Sequence, residues 1–149
     1  MTAGEYCNRD VVFVGVADSL REAVQLMRTQ HVGDVLVVEK LTGNNTPVGI
    51  LTDRDIIIEV LAEDVDIDSL TVGDVMSELL ITVTEDTGLP EILDVMRSHG
   101  IRRLPVIDRN GSLQGIISID DILELLAELL QKLAILVKTE QQHEKRMRV

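Results

Sequence analysis

Residues Leu20–Val38 read LREAVQLMRTQHVGDVLVV, and residues Leu89–Ile107 read LPEILDVMRSHGIRRLPVI. Leu20, Glu22, Met27, Arg28, Val32 and Val37 fall on Leu89, Glu91, Met96, Arg97, Ile101 and Val106 at a constant offset of 69 positions. A second block follows in each half. GILTDRDI from Gly49 matches GIISIDDI from Gly115 at an offset of 66, as from Asp55 to Asp121. The lost positions lie in a turn, where LTGNNTP answers RNGS; length differences belong in surface turns. One unit is therefore written twice. Half of a 149-residue chain is marginal as a domain on its own, so the two copies are expected to pack face to face and bury one continuous core.

Each copy predicts β-α-β-β-α. Val11–Val16 and Leu80–Thr84 are β-rich openings. Leu20, Ala23, Val24 and Met27 in one copy, and Leu89, Ile92, Leu93 and Met96 in the other, recur at helical spacing. Gly100 stands where a helix would end in the left-handed region. Val35–Val38 and Leu104–Ile107 predict buried strands, and Val48–Leu51 and Gln114–Ile117 the returning ones. Asn44-Asn45 and Asn110-Gly111 supply turn chemistry between them, and helices are expected from about Arg54 and Asp120. The fold class is α+β: two pseudo-symmetric repeats packed together, with a long C-terminal helix.

A core of 45% apolar residues is almost wholly aliphatic, because Phe13 and Tyr6 are the only aromatics. A net charge of −12 repels nucleic-acid phosphate, and no stacking platform exists for bases. Cys7, the only cysteine, allows no disulfide within the chain and is placed in a mobile terminus. No apolar run reaches membrane-spanning length and Met1–Arg9 lacks a secretory pattern, so a cytoplasmic protein is expected.

Thr52-Asp-Arg-Asp55 lies between a strand and a helix, and Ser118-Ile-Asp-Asp121 repeats it. One reading is structural: a Thr or Ser N-cap with an acidic residue three places on forms a capping box. The other is functional: a helix start offers N–H groups to phosphate, and a carboxylate accepts from a ribose diol. The two are compatible. Arg102 and Arg103 precede the strand Leu104–Ile107, and their counterparts are Gly33 and Asp34.

With Asp74-Val75-Met76-Ser77, the segment MRSHGIRRLPVID and the doubled Gly-apolar-apolar-Thr/Ser-x-x-Asp block, residues 10 to 128 resemble tandem cystathionine-β-synthase (CBS) domains, a Bateman module. The resemblance implies a non-catalytic regulatory pair that binds an adenine nucleotide in clefts related by pseudo-two-fold symmetry, and that forms a homodimer. AMP or ATP is the implied ligand, S-adenosylmethionine and NAD share its adenosine end, and no metal is expected. It puts phosphate near Thr52 and ribose at Asp55, with Ser118 and Asp121 in the matching places. Such sites combine the Thr/Ser-x-x-Asp of one copy with the opening strand and basic residues of the other. One cleft would then hold Thr52, Asp55, Thr82 and Arg103, with Arg102 beside it and Val83 and Ile101 against the adenine. The other would set Ser118 and Asp121 opposite Phe13 and Asp34, where Asp34 repels phosphate; the first cleft is expected to be the nucleotide site. The alternative is a nucleotide-free interaction module.

Other motifs fail. Asp64-x-Asp66-x-Asp68 lacks the Gly and Glu of an EF-hand, and His31, His99 and His143 are scattered. No phosphate loop or nucleophile elbow appears. Ile122, Leu126, Leu129, Leu133 and Leu136 form a heptad-like stripe, so a helix is expected to near Gln141, with a polar end that frays. That helix would cover its own core, form a dimer seam or dock a client protein. The partition read from these patterns is an extension over 1–9, repeats over 10–62 and 77–128, a connector over 63–76 and a tail over 129–149.

Overall fold

The computed structural model describes residues 1–41, 43–78 and 81–148. A short helix α1 (Ala3–Tyr6) leads into β1 (Phe13–Gly15), α2 (Leu20–Gln30), β2 (Asp34–Leu41), β3 (Asn44–Thr52) and α3 (Asp53–Ile56), which continues as a π-turn over Ile57–Leu61. A 3-10 turn (Ile67–Ser69) and α4 (Val72–Val75) lead into β4 (Val83–Thr84), α5 (Leu89–His99), β5 (Arg103–Ile107), β6 (Leu113–Ser118) and α6 (Ile119–Met147). The repeats give two three-stranded sheets, β1-β2-β3 and β4-β5-β6. In each, the first pair is parallel and the second antiparallel. Both antiparallel ladders slip at the same point of the repeat, between Val37 and Val38 and between Val106 and Ile107.

The helices follow the expected spacing. α2 buries Leu20, Ala23 and Met27, and α5 buries Leu89, Ile92 and Met96. Ser19 caps α2 by accepting from the Glu22 N–H at 3.2 Å. Gly88 offers no such cap to α5, but Pro90 sits in its first turn, where a missing N–H costs nothing. At the other end both helices close through a left-handed residue, Gly100 with φ 62° and His31 with φ 54°.

Two expectations of extent are revised and a third is not tested. β3 begins at Asn44, so Asn44 and Asn45 belong to the ladder and pair with Leu41 and Lys40. The expected start of the second copy's opening strand, Leu80, lies outside the described residues. The last helix reaches Met147 rather than ending near Gln141. Nothing between Ile116 and its end is Gly or Pro, and Arg148 pairs with Glu144 at 2.7 Å.

The core is also not continuous. Side chains alternate across a sheet. Val35, Val37 and Leu51 join Leu20, Ala23 and Met27 in one buried cluster. Leu104, Val106 and Ile117 join Leu89, Ile92 and Met96 in another. The opposite faces of the two sheets meet through β3 and β6.

The leading segments are exchanged between the repeats. α1 precedes the first repeat but packs on the second, where Ala3 is fully buried. α4 precedes the second repeat and packs on the first through Val72 and Val75. The Gly4 N–H donates to Glu85 O and the Gly73 N–H to Val16 O, each at 2.9 Å. Asn8 exchanges two backbone hydrogen bonds with Ile116, as Ser77 does with Ile50. A Cβ on Gly115 would meet Asn8 O at 2.7 Å, and one on Gly49 would meet Ser77 O at 2.7 Å. Glycine is what lets these backbones approach. Cys7 is half-buried in this packing, so the expectation of a loose terminus gives way to a docked segment.

Candidate functional site

Where the sheets face one another, the side chains that point away from both cores enclose a cavity of about 170 Å³. Leu36 and Ile50 line it from one sheet, and Pro105 and Ile116 from the other. These are repeat-equivalent pairs, at offsets of 69 and 66, so the cavity lies on the pseudo-two-fold axis. Three further lining residues, Ile81, His99 and Ile101, belong to the second repeat alone. Their counterparts Val12, Gln30 and Val32 do not line it, so the cavity leans toward the second repeat. The walls are aliphatic apart from Asp34, Arg103 and His99. His99 Nδ1 lies 3.0 Å from Val95 O; a carbonyl only accepts, so that nitrogen carries the proton.

Arg103 and Asp34 form the polar edge. Arg103 Nη1 donates to both carboxylate oxygens of Asp34, at 2.8 and 2.9 Å. The two residues hold the same place in their repeats, and equivalent positions near a two-fold axis meet across it. The pair thus ties one repeat to the other. The side chains are 51% and 34% exposed, enough for water and solutes to compete for either partner.

Thr52 stands beside this edge as the Cα partner of Asp34, and Ser118 as the Cα partner of Arg103. Both begin helices through capping boxes. Thr52 Oγ1 accepts from the Asp55 N–H at 3.1 Å, while Asp55 Oδ2 accepts from the Thr52 N–H at 3.0 Å. Ser118 and Asp121 repeat the arrangement at 3.1 and 3.0 Å. Asp55 and Asp121 are half-buried and already accept at one oxygen.

Of the residues singled out from the sequence, Ile101 and Arg103 line the cavity. Thr82 is half-buried next to Ile81, and Val83 is buried in the second core. Arg102 is exposed beside Asp120, at 3.6 Å, away from the lining. Phe13 is exposed on a separate surface depression with Val12 and Gln30. Asp34, expected to oppose phosphate in the other cleft, is paired with Arg103. Leu36, Ile50, Pro105, Ile116, Ile81 and His99 were not anticipated. The alternation of buried strands held the signal for the first four, since residues between core positions must face something else.

The CBS domain family matches residues 3–62 and 72–128. The chain belongs to the CBS-domain family. An uncharacterised protein of Methanopyrus kandleri is 36% identical over 125 residues, 84% of this chain, and this chain spans 62% of its length. Hypoxic response protein 1 of Mycobacterium tuberculosis is 34% identical over 128 residues, covering 85% of this chain and 86% of the relative. Among solved structures, Hypoxic Response Protein I with two coordinated zinc ions superposes with a TM-score of 0.70 at 32% identity, over 83% of this chain and 98% of that one. The cytosolic domain of the Mg²⁺ channel MgtE in complex with ATP gives 0.68 at 26% identity, over 83% of this chain and 48% of that one. The two repeats are a CBS pair, a regulatory module.

One expectation is corrected by these relatives. A nucleotide as sole ligand, with no metal, does not describe the family, because Hypoxic Response Protein I holds coordinated zinc. In this chain, no three His, Cys, Asp or Glu side chains converge among the described residues to hold an ion. No helix among the described residues is long and apolar enough to cross a membrane.

Proposed function

We propose that this CBS pair is a non-catalytic sensor that takes an adenosine-containing anion in the cavity between its sheets and passes occupancy to a dimer partner or client. The observation that carries the reading is the cavity on the pseudo-two-fold axis with Arg103 at its edge. Sites for drug-sized ligands run to roughly 300–1,000 Å³. A cavity of about 150 Å³ takes benzene, so 170 Å³ suits one flat ring system and leaves the rest of the ligand at the mouth. The walls supply aliphatic surface for the ring. Arg103 supplies a planar donor fork for phosphate or carboxylate. Thr52 is the register partner of Asp34 on the neighbouring strand, and the reading directs the ribose at the mouth toward it and Asp55.

Competition supplies a relay. An anion that takes Arg103 from Asp34 breaks a link between the repeats and favours whichever relative arrangement does not need it. A second reading, a nucleotide-free interaction module, draws on the same pair, because Arg103 is already neutralised.

Thermal unfolding with a ligand panel separates the two. A ligand that binds only the folded chain, at one hundred times its Kd, stabilises it by about 2.7 kcal/mol. Adenosine-containing anions are expected to raise Tm in the unaltered protein and much less in Ile116→Trp, which fills the cavity, and in Arg103→Ala. A zinc arm, with and without chelator, reports metal separately. No shift with any adenosine compound, in protein that unfolds cooperatively, would leave the interaction module as the function.

A further inference from the structure

The cavity reading assigns no role to the leading segments that close the two cores. Each segment is bonded to a residue whose side chain lines the cavity. The Asn8 N–H donates to Ile116 O at 2.8 Å, and Asn8 O accepts from the Ile116 N–H at 2.9 Å. Ser77 makes the same exchange with Ile50, at 2.9 and 3.0 Å. Ile116 and Ile50 are repeat-equivalent walls of the cavity. Both sit on strands that end their sheets, so β6 and β3 hold the cavity with one face and a leading segment with their outer edge.

The two segments are not equally held. α4 buries Val72 and Val75, whereas α1 buries Ala3 alone, because Tyr6, at the place of Val75, is 37% exposed. Apolar area taken from water sets how firmly such a segment docks, and α1 has the smaller share. Arg9 adds a staple. It donates to Gly4 O at 2.9 Å and to Glu85 at 3.2 Å. The side chains of that ion pair are 54% and 38% exposed, so it opens at little cost. The first repeat has no counterpart to it, since Val16 stands at the place of Glu85 and Glu78 at that of Arg9.

A segment with few buried apolar contacts opens locally while the rest of the fold stays closed. Of the two, residues 1–9 are the one built to do so. Opening takes both backbone partners from Ile116 and loosens β6 where a ring in the cavity would rest. A ring packed on Ile116 and a segment bonded to Ile116 hold the same strand position, so each favours the other.

We propose that residues 1–9 form a strap whose docking on β6 is coupled to the cavity: filling the cavity holds the strap shut, and emptying it lets the strap open. This rests on the sensor reading and names where that sensor reports its occupancy.

Hydrogen exchange of the full chain, read by mass spectrometry on peptides spanning 1–9 and 71–78, tests it with AMP and ATP as probes. Without nucleotide, the 1–9 peptide is expected to be less protected than its repeat-equivalent. Nucleotide should slow its exchange about fivefold or more. Coupling is reciprocal, so a broken strap must weaken binding by up to that same factor. Ala3→Glu puts a charge on the side chain that seats the strap, and Asn8→Pro removes the donor to Ile116 O without touching either core. Isothermal titration should show Kd raised in both, with cooperative unfolding kept. Nucleotide binding that leaves strap exchange unchanged, or parental Kd in both variants, would overturn the strap and leave the sensor standing. Failure of both nucleotides to bind the parent would overturn strap and sensor together.

Discussion

Arg103 and Asp34 hold one position of the repeat yet carry opposite charges. Their ion pair is half in water, so it contributes on the order of 0–1 kcal/mol to folding and is displaced at little cost. Asp34→Asn should therefore unfold at nearly the same temperature as the parent but hold anions at Arg103 more tightly. The pair was not legible in the sequence, because a charge read in its local context looks solvated. Only the offset of 69 carried the clue that two equivalent positions could meet on an axis. The Thr52 and Ser118 caps were legible because a capping box closes within four residues. Cys7 shows the opposite failure. A short polar terminus reads as loose, yet burial is the largest influence on its thiol and raises its pKa above the ordinary value, outweighing the lowering by Arg9. The thiolate is the reactive form, so alkylation of the native protein should begin only at a higher pH than in the unfolded chain. Equal rates for native and denatured protein across pH would mean that the segment is not docked.

At the scale of elements, the repeat provides its own controls. α5 ends on Gly100 in the left-handed region and α2 ends on His31, which bears a Cβ there. His31→Gly should raise stability by roughly 0.5–1 kcal/mol, a few degrees in Tm, while Gly100→Ala should lower it by a comparable amount. Calorimetry of both checks the pair. Gly115→Ala drives a Cβ into Asn8 O and the Cys7 side chain, and should cost about 1–3 kcal/mol as the leading segment is pushed off β6. If the loss is nil, the exchanged packing of α1 is wrong. That exchange was written in the sequence, since TAGEYCN from Thr2 matches TVGDVMS from Thr71 at the offset of 69. It is faint because small and acidic residues at a backbone contact leave no hydrophobic period. Helices α2 and α5, with three buried positions each, announced themselves. The strands did so only in their buried centres, because outer ladder residues such as Asn44 and Asn45 look like turn.

For the molecule as a whole, doubling one unit does more than double a core. Each copy closes its own apolar cluster with the other's leading helix, and the faces left over meet around a small cavity. Fold class followed from repetition and period, both of which are local. The cavity did not, since it exists only once two sheets face one another across the axis. Symmetry also explains why its chemistry is uneven: the same place in the repeat gives Arg103 on one side and Asp34 on the other. Isothermal titration of an anionic adenosine compound into the parent, Asp34→Asn and Arg103→Ala proteins tests this most directly. The account predicts measurable binding to the parent, affinity raised up to about fivefold in Asp34→Asn, which is the roughly 0–1 kcal/mol spent on displacing the pair, and lost in Arg103→Ala. Equal affinity in all three proteins would contradict it, because the ligand would then be held away from the pair on the axis.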